Sequence, residues 1–487
     1  MVDRPANQDR VVIIGGGLSG LATAHRLVES ATAAQRPVEV VVLEAKDRLG
    51  GSIWTNRVKG FTLEAGPDSF ITNKPWAVDL CRSLGLGNQL IGTDPQHRRS
   101  FVVRQGRLMP VPEGFVLLAP NRLGPMLMTP ILSWRGKFRM LLDLVLPRKD
   151  GESDESLGSF VKRRLGREAL ERLVQPLVGG IYTADPNDLS LRATLPQFAR
   201  MEHQDRSLIL AAFRQARGAR SAEKNASGAR YGLFATLSDG MDTLPRALAA
   251  SLPRGTVRAG AAVRRLSRTD PGGPWLVELL DGPPIEANAV ILATEAHAAA
   301  RLVDGFDADL ALRLRAIPYA SSAIVNIAYR RDQVAHPLDG FGAVVPIIEQ
   351  RSILAISFLS VKFPGRAPAG TALLRVFVGG ATQPDLFDRD DEEIVALVRQ
   401  ELGELLGATG EPLLVEVARH PRAMPQYTLG HLDRVEAIKR QLARHPRLFL
   451  TGIAYDGVGI PDCIRAARTA ADATLSALAD PAKPAAA

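Results

Sequence analysis

The residues whose types and spacing most directly imply chemistry are Gly15-Gly16-Gly17-Leu18-Ser19-Gly20 and, further along, Glu44. In a strand-turn-helix unit the first glycine of such a run permits a tight turn. The second lets a pyrophosphate approach the backbone, and the third lets the helix pack closely on the sheet. The unpaired N–H groups at the helix start then face the phosphates. A carboxylate at Glu44 can accept hydrogen bonds from both hydroxyls of a ribose, and it repels a 2′-phosphate, which disfavours an NADP-type ligand. The chemistry implied is recognition of a dinucleotide largely by backbone.

A second glycine turn follows at once, Ala45-Lys46-Asp47-Arg48-Leu49-Gly50-Gly51-Ser52. Nicotinamide domains have no need of a second backbone approach, whereas a longer dinucleotide does. Then Leu63-Glu64-Ala65-Gly66-Pro67-Asp68-Ser69-Phe70 reads as a strand end and a turn that brings backbone close to something flat. Glu44 and the second turn together move the expected ligand from a nicotinamide to a flavin dinucleotide. Two further glycine segments are candidates for close backbone approach. Val178-Gly179-Gly180-Ile181-Tyr182 reads as an interruption of a helix, and Tyr455 to Ile464 reads as a turn entering a last helix that returns to the flavin.

The elements that must position these residues can be read from periodicity. Val11-Val12-Ile13-Ile14 is a short apolar strand, Leu21, Ala22, Ala24, Leu27 and Val28 recur at helical spacing, and Val38 to Leu43 is a second strand. Phe101 to Leu108 reads as a hairpin turning at Gln105-Gly106, Leu157 to Leu177 as helical, and Tyr231 to Leu248 as a helix flanked by glycine. Thr256 to Arg268 and Trp275 to Leu280 read as strands. The run Ala289 to Thr294 is apolar enough to be a buried parallel strand that rejoins the first sheet. From Ser321 to Val378 strand patterns dominate and predict a mainly antiparallel sheet, followed by an amphipathic helix at Ile394, Leu397, Val398, Leu402 and Leu405. Leu448 to Leu450 is a last strand, and the Pro/Ala-rich tail from Asp480 reads as disordered.

The fold class expected is α/β, α+β overall: a discontinuous Rossmann-like FAD-binding domain with a mainly antiparallel substrate-binding sheet and a helical subdomain. The expected division is 1–92, 231–310 and 441–480 for the FAD-binding domain, 93–230 for the helical subdomain, 311–440 for the substrate sheet and 481–487 for the tail. Within the helical part, Phe138, Leu141, Leu142 and Val145 fall at helical spacing beside Arg135, Lys137, Arg139 and Arg148. We read that stripe as packing its own core, the alternative being a surface that touches a membrane or guides an apolar substrate.

Composition narrows the function classes. The chain is 46% hydrophobic and 23% charged, the balance of an ordinary globular protein. The formal charge of +8 is spread along the sequence. Its one basic polar cluster, Arg214 to Arg230, reads as a solvated loop, so no nucleic acid is expected. Cys81 and Cys463 stand in no paired spacing, which indicates neither a disulfide framework nor a metal site. No apolar run approaches the roughly 18 residues of a membrane span, so a cytoplasmic protein is expected, with peripheral membrane contact and homodimer formation left open.

Taken together, the motifs resemble those of the flavin-dependent porphyrinogen oxidases, the group holding protoporphyrinogen IX oxidase and bacterial coproporphyrinogen III oxidase within the amine oxidase and phytoene desaturase superfamily. The resemblance runs from Val11 to Leu478. It is most specific at Gly66-Pro67-Asp68-Ser69-Phe70, Gly179-Gly180-Ile181-Tyr182 with Asp188-Leu189-Ser190, His203 to Leu210, Met424-Pro425-Gln426-Tyr427 with Gly430-His431, and Gly457 to Ile464. It implies that Gly15 to Gly20, Glu44, Ala45, Ser52 and Gly66 to Ser69 line FAD, joined by Arg48, Gly50 and Gly51 of the second turn. It also implies that Val263 meets the adenine side and that Ile460, Pro461 and Asp462 return at the flavin end. Phe377 matches a residue that packs on the tetrapyrrole, and Gly180-Ile181 match the pocket beneath it.

One departure bears on the substrate. Plant and animal protoporphyrinogen enzymes carry an arginine before the hairpin aromatic, where this chain has Ser100 after Arg98 and Arg99. That serine, the Gly-Pro-Asp-Ser-Phe string and Lys74 look like the coproporphyrinogen branch, and they make Lys74 the candidate partner of a substrate propionate. The implied reaction is six-electron oxidation of a porphyrinogen to a porphyrin, two electrons at a time, with molecular oxygen as acceptor. His203, His431 and Asp68 are polar candidates read as structural, so no catalytic base and no metal ligand is assigned. An amine oxidase or carotenoid desaturase on the same scaffold, and a non-catalytic nucleotide-fold binding protein, are the competing readings.

Overall fold

The computed structural model describes residues 8–479 apart from 117, 121, 150, 152, 224–232, 269, 271 and 272. The tail expected to be disordered lies outside these residues, as does part of the basic cluster at 214–230.

The apolar strands at the start of the chain assemble into a five-stranded parallel sheet. Its order is Val257–Arg258, Val38–Leu43, Asp9–Ile14, Ala289–Leu292 and Leu448–Leu450. Val11, Val12 and Ile13 have no exposed surface, because both faces of the sheet are covered. Against one face lie the helices Leu18–Ala33 and Ile460–Ala479, whose Leu21, Leu27, Ile464 and Ala467 pack on Val11 and Ile13. On the other face, Val12 and Ile14 pack with the helices Ala296–Val303, Ala308–Arg315 and His431–Leu442 and with Trp275 of a small antiparallel sheet. Segments distant in sequence therefore build one sheet, as the run at Ala289 predicts.

A second sheet has seven strands, in the order Leu414–Pro425, Tyr319–Arg330, Thr371–Gly379, Ala355–Phe358, Gly342–Val344, Phe101–Arg104 and Arg107–Pro110. All its pairings are antiparallel except that of Gly342–Val344 with Phe101–Arg104. The hairpin turns at Gln105-Gly106, both at positive φ, and extends this sheet. Successive side chains alternate between faces. Leu374, Val376 and Val378 meet Ile394, Val398 and Leu402 of the helix Asp391–Leu406. Arg375 and Phe377 consequently share the opposite face.

The helical region, with Leu157, Phe160, Leu173 and Val178 at its centre, packs on Val102 and Val344 of the same sheet. Several expectations are corrected here. The glycines at 179–180 do not interrupt a helix but lie inside Gln175–Tyr182, which ends at Thr183 in the left-handed region. They are tolerated because little else competes for that space: a Cβ at Gly180 would meet only Val344, at 3.7 Å. The segment expected as one helix from Tyr231 contains the strand Phe234–Leu237 before the helix Thr243–Ala250. The loop expected from Arg214 begins as helix, within Leu208–Glu223, anchored by buried Leu208, Ile209 and Ala211. Finally, Phe138 and Val145 do not enter the core. Each is 66% exposed: the helix Trp134–Leu141 turns Met140 inward instead of Phe138, and Val145 lies beyond its end.

Candidate active site

The first glycine turn is shaped by steric demands that differ from residue to residue. Gly15 adopts φ +114°, donates its N–H to Leu43 O at 2.8 Å, and a Cβ there would lie 2.6 Å from Ala293 O. A Cβ on Gly20 would lie 1.9 Å from Gly15 O, so this glycine is what lets the helix sit on the turn. Gly16 accommodates Glu44, whose carboxylate accepts from the N–H of Gly16 at 2.6 Å and of Lys46 at 3.0 Å. Gly17 is different. It has φ −72°, bridges to Gly50, and a Cβ on it would meet nothing nearer than 3.7 Å.

The helix after Gly17 begins with no side-chain cap and no acidic residue in its first turn, with Leu18 and Ser19 buried. Its free N–H groups favour an anion. The second turn closes over the first: Gly50 N–H donates to Gly16 O at 2.9 Å, and Gly50 and Gly51 both take positive φ. Arg48 reaches back to Gly51 O at 2.8 Å and covers the Trp54 ring, while Ala45 and Ser52 are exposed at the rim. Ala261 N–H donates to Glu44 O at 2.8 Å, which brings the strand start at Val263, partly exposed, alongside the glutamate. Backbone spacing, free N–H groups and room at Gly17 form a cradle that fits a pyrophosphate.

The turn Gly66-Pro67-Asp68-Ser69 lies against this cradle, since a Cβ on Gly66 would lie 1.7 Å from Ser52 O. Its carboxylate is buried. Asp68 accepts from Ser69 Oγ at 2.7 Å and from Lys362 Nζ at 2.8 Å, with Arg375 3.7 Å away. Burial alone would raise the Asp68 carboxyl, but Lys362 and Arg375 outweigh it and hold the group well below the usual carboxylate range. Arg375 also donates to Gly66 O and places its guanidinium 4.7 Å from the centre of the Phe377 ring. Beside them, Glu64 and Arg366 form a second buried pair at 3.4 Å, and Glu64 accepts from Thr55 Oγ and Met241 N–H.

Ile460, Pro461 and Asp462 begin the last helix and are buried. Lys74 spends its ammonium on Asp462, at 2.8 and 2.6 Å from the two carboxylate oxygens, with its side chain 39% exposed. The loop before that helix is held by Tyr427, whose hydroxyl donates to Ile453 O at 2.6 Å and accepts from Gly457 N–H at 2.9 Å. His431 stacks on the Tyr427 ring at 3.9 Å, fully buried, and burial pushes its pKa down to about 4. His203 is exposed on the helix Pro196–Asp205, apart from these groups.

Phe377 is half-buried on the sheet, while Gly180 and Ile181 are exposed on the helix Gln175–Tyr182. The strand and helix are tied together, because Ala381 N–H donates to Thr183 O at 2.7 Å and Gln175 Oε1 accepts from Ile347 N–H at 2.9 Å. Sequence reasoning missed Lys362 and Arg366 as members of this region, and gave Tyr427 only as part of a string that carries the resemblance, with no role. For Arg375 a signal exists: a cation inside the apolar run Ala372 to Val378 must find a buried partner.

The family model described as flavin containing amine oxidoreductase matches residues 18–475. The chain belongs to that family. The protein is thus an FAD-dependent oxidoreductase, and the cradle has the shape that the cofactor's pyrophosphate requires. The coproporphyrinogen III oxidase of Bacillus subtilis (strain 168) is 34% identical over 474 residues, covering 96% of this chain and 98% of that protein. Protoporphyrinogen oxidase 1, chloroplastic, of Arabidopsis thaliana is 30% identical, covering 94% of this chain and 86% of its own. A crystal structure from Exiguobacterium sp. 255-15 superposes with a TM-score of 0.85 at 32% identity, covering 97% of this chain and 99% of the other. For this family, the chain's Gly15 to Gly20, Glu44, Gly50, Gly51 and Gly66 to Ser69 are the residues that would hold the dinucleotide.

Proposed function

We propose that this protein oxidises coproporphyrinogen III to coproporphyrin III with molecular oxygen as acceptor, and accepts protoporphyrinogen IX less readily. The observation that carries the reading is the position of Arg375, which touches both the Gly66 carbonyl of the cofactor turn and the half-buried face of Phe377. A flat apolar ligand stacked on Phe377 would lie next to the cofactor turn. FAD, when bound, would supply a two-electron acceptor: each round would remove a hydride and a pyrrole N–H proton from the substrate, oxygen would take up the two electrons and two protons as hydrogen peroxide, and a porphyrinogen would need three rounds.

The chain's contribution is placement. Phe377, Gly180 and Ile181 offer the macrocycle an apolar surface without side-chain obstruction at Gly180. Lys74 and the exposed Arg98 supply positive charge for propionates, and Ser100 leaves the rim without the arginine of the plant and animal enzymes. The carboxylates near the cofactor turn, Asp68 and Glu64, are already held by cations, which fits a reaction driven by the product's aromaticity rather than by a side-chain base. Anaerobic mixing with porphyrinogens, polyamines and carotenoids tests the reading. Coproporphyrinogen III is expected to bleach the flavin absorbance fastest. Bleaching by a polyamine alone would overturn the proposal.

A peripheral membrane contact is part of the same proposal. Met128, Trp134 and Phe138 are 82%, 73% and 66% exposed, and Arg135 and Arg148 are exposed nearby. Such a patch suits an anionic bilayer surface. None of the described helices is long and apolar enough to cross a membrane. Co-sedimentation with vesicles containing anionic lipid, lost in Trp134→Ser with Phe138→Ser, is the expected result.

A further inference from the structure

The buried ions behind the cofactor turn are not balanced. Lys362, Arg366 and Arg375 are set against two buried carboxylates, Glu64 and Asp68, and the exposed Asp239, which also acts on Arg366, is screened by water. Glu64, Arg366 and Arg375 are almost completely buried, and the Lys362 side chain is 14% exposed. His420 adds no charge, since burial lowers its pKa and its Nε2 lies 2.6 Å from Ala65 O, as a neutral donor would. Burial raises the Glu64 carboxyl, so the buried carboxylates contribute at most two negative charges against the three positive ones of Lys362, Arg366 and Arg375.

An uncompensated buried charge is costly and is expected where it meets a ligand's charge. The two cations on Asp68 both touch the cofactor turn itself. Lys362 Nζ lies 3.5 Å from Ser69 Oγ, Arg375 holds the Gly66 carbonyl, and the Arg375 Nε hydrogen has no partner. We propose that the Lys362–Asp68–Arg375 cluster is an electrostatic device that favours the reduced form of the bound flavin. Reduction adds two electrons and one proton to a neutral ring system and leaves it with one negative charge. A net positive charge behind the turn stabilises that form over the oxidised one. Lys362 and Arg375 are positioning residues in this account, acting on the cofactor through field and through the turn they hold. The account rests on the FAD-dependent reading of the cradle.

The test is the midpoint potential of FAD bound to the full-length protein, measured anaerobically with a reference dye and an enzymatic reductant. Lys362→Met is expected to make reduction about tenfold less favourable, about 30 mV lower for a two-electron couple. Asp68→Asn removes a negative charge and should shift the potential upward by a similar amount. Lys362→Arg keeps the charge and should stay near the parent value. Opposite signs cannot arise from general damage to the turn, which would move both variants together. An unchanged or raised potential in Lys362→Met with FAD retained would overturn the proposal. So would loss of FAD from both Lys362→Met and Asp68→Asn, which would assign the cluster to folding alone. A colourless parent protein, by contrast, would remove the FAD site itself.

Discussion

The two sheets hold their ligand-facing residues in opposite ways. In the parallel sheet the buried halves of the central strands are apolar, and apart from the Glu44 carboxylate what is offered to the dinucleotide comes mainly from backbone at the strand ends. In the seven-stranded sheet a strand of the same apolar type carries Arg375 in its middle, and ions buried beneath it hold the turn and the aromatic ring. Backbone recognition demands absence of side chains, whereas the second arrangement demands particular side chains with partners from three distant segments. The first should fail sharply with small steric changes, and the second in proportion to the charge or surface removed.

The largest effect is expected at Gly20. Its missing Cβ would lie 1.9 Å from Gly15 O, a backbone atom that cannot move without opening the turn. Gly20→Val should abolish recovery of folded protein. Gly17→Val should leave a folded apoprotein, because a Cβ there has room, yet it should lose FAD, since the branched side chain fills the cradle. Thermal melting and the flavin-to-protein absorbance ratio separate the two outcomes. Stoichiometric FAD in Gly17→Val would remove this glycine from the pyrophosphate site.

That contrast also sets what the sequence makes legible. Glycines at Gly15, Gly20 and Gly50 report local backbone needs, so the cradle and its flanking strands can be read residue by residue. The ion cluster cannot, because Glu64, Asp68, Lys362 and Arg375 become neighbours only when two sheets meet. The strand Leu414–Pro425 is hidden for another reason: Pro421, Arg422 and His420 break its alternation, which an edge strand with a bulge near Ser321 tolerates. The glycines of the helix Gln175–Tyr182 mislead because burial of Val178 and Tyr182 from the same helix in the helical core outweighs their weak helix propensity.

On the sheet side, Arg366→Leu should be the most damaging charge deletion, leaving Glu64 buried without its cation. A broken buried pair costs about 3 to 5 kcal/mol. Chemical denaturation of the apoprotein measures this, and Arg366→Leu with Glu64→Gln should recover part of the loss. A cost below about 1 kcal/mol for the single change would mean that the pair is not load-sharing in the fold.

His431 offers a pH-dependent test on the parallel-sheet side. Its folded pKa of about 4 lies below the unfolded value of 6.5, so the neutral form is the one that the fold accommodates. Its contribution is present above pH 6.5 and is lost as the pH falls through that range toward 4, for about 3 kcal/mol in all. His431→Phe, which keeps the stack on Tyr427, should flatten this limb of the stability profile. An unchanged acid limb would show that other groups set it.

Phe377→Ala should be milder and confined to the substrate. Removing a half-buried ring from an apolar face costs on the order of 2 kcal/mol, or roughly a thirtyfold weakening of apparent porphyrinogen binding, with FAD retained. Loss of FAD in this variant would tie the ring to the cofactor turn through Arg375 instead.

The smallest effect concerns Lys74, which serves both sides of the comparison. Coproporphyrinogen III carries four propionates, whereas protoporphyrinogen IX carries two propionates and two vinyl groups. Each additional exposed charge pair is worth about 0.2 to 1 kcal/mol, so two of them predict a preference of about twofold to thirtyfold rather than exclusive use. Lys74 is already paired with Asp462, yet its side chain is 39% exposed and can reach a second anion from the open side. If it does, Lys74→Ala narrows the preference while FAD stays bound, and raising the salt concentration narrows it in the parent protein, because exposed pairs are screened. If Lys74 serves only Asp462 at the start of the last helix, the same variant loosens FAD and leaves the preference unchanged. Steady-state kinetics with both porphyrinogens at low and high salt, read beside the flavin-to-protein ratio, distinguish these outcomes. A preference for protoporphyrinogen IX in both salts would assign the chain to the other substrate while leaving the FAD site intact.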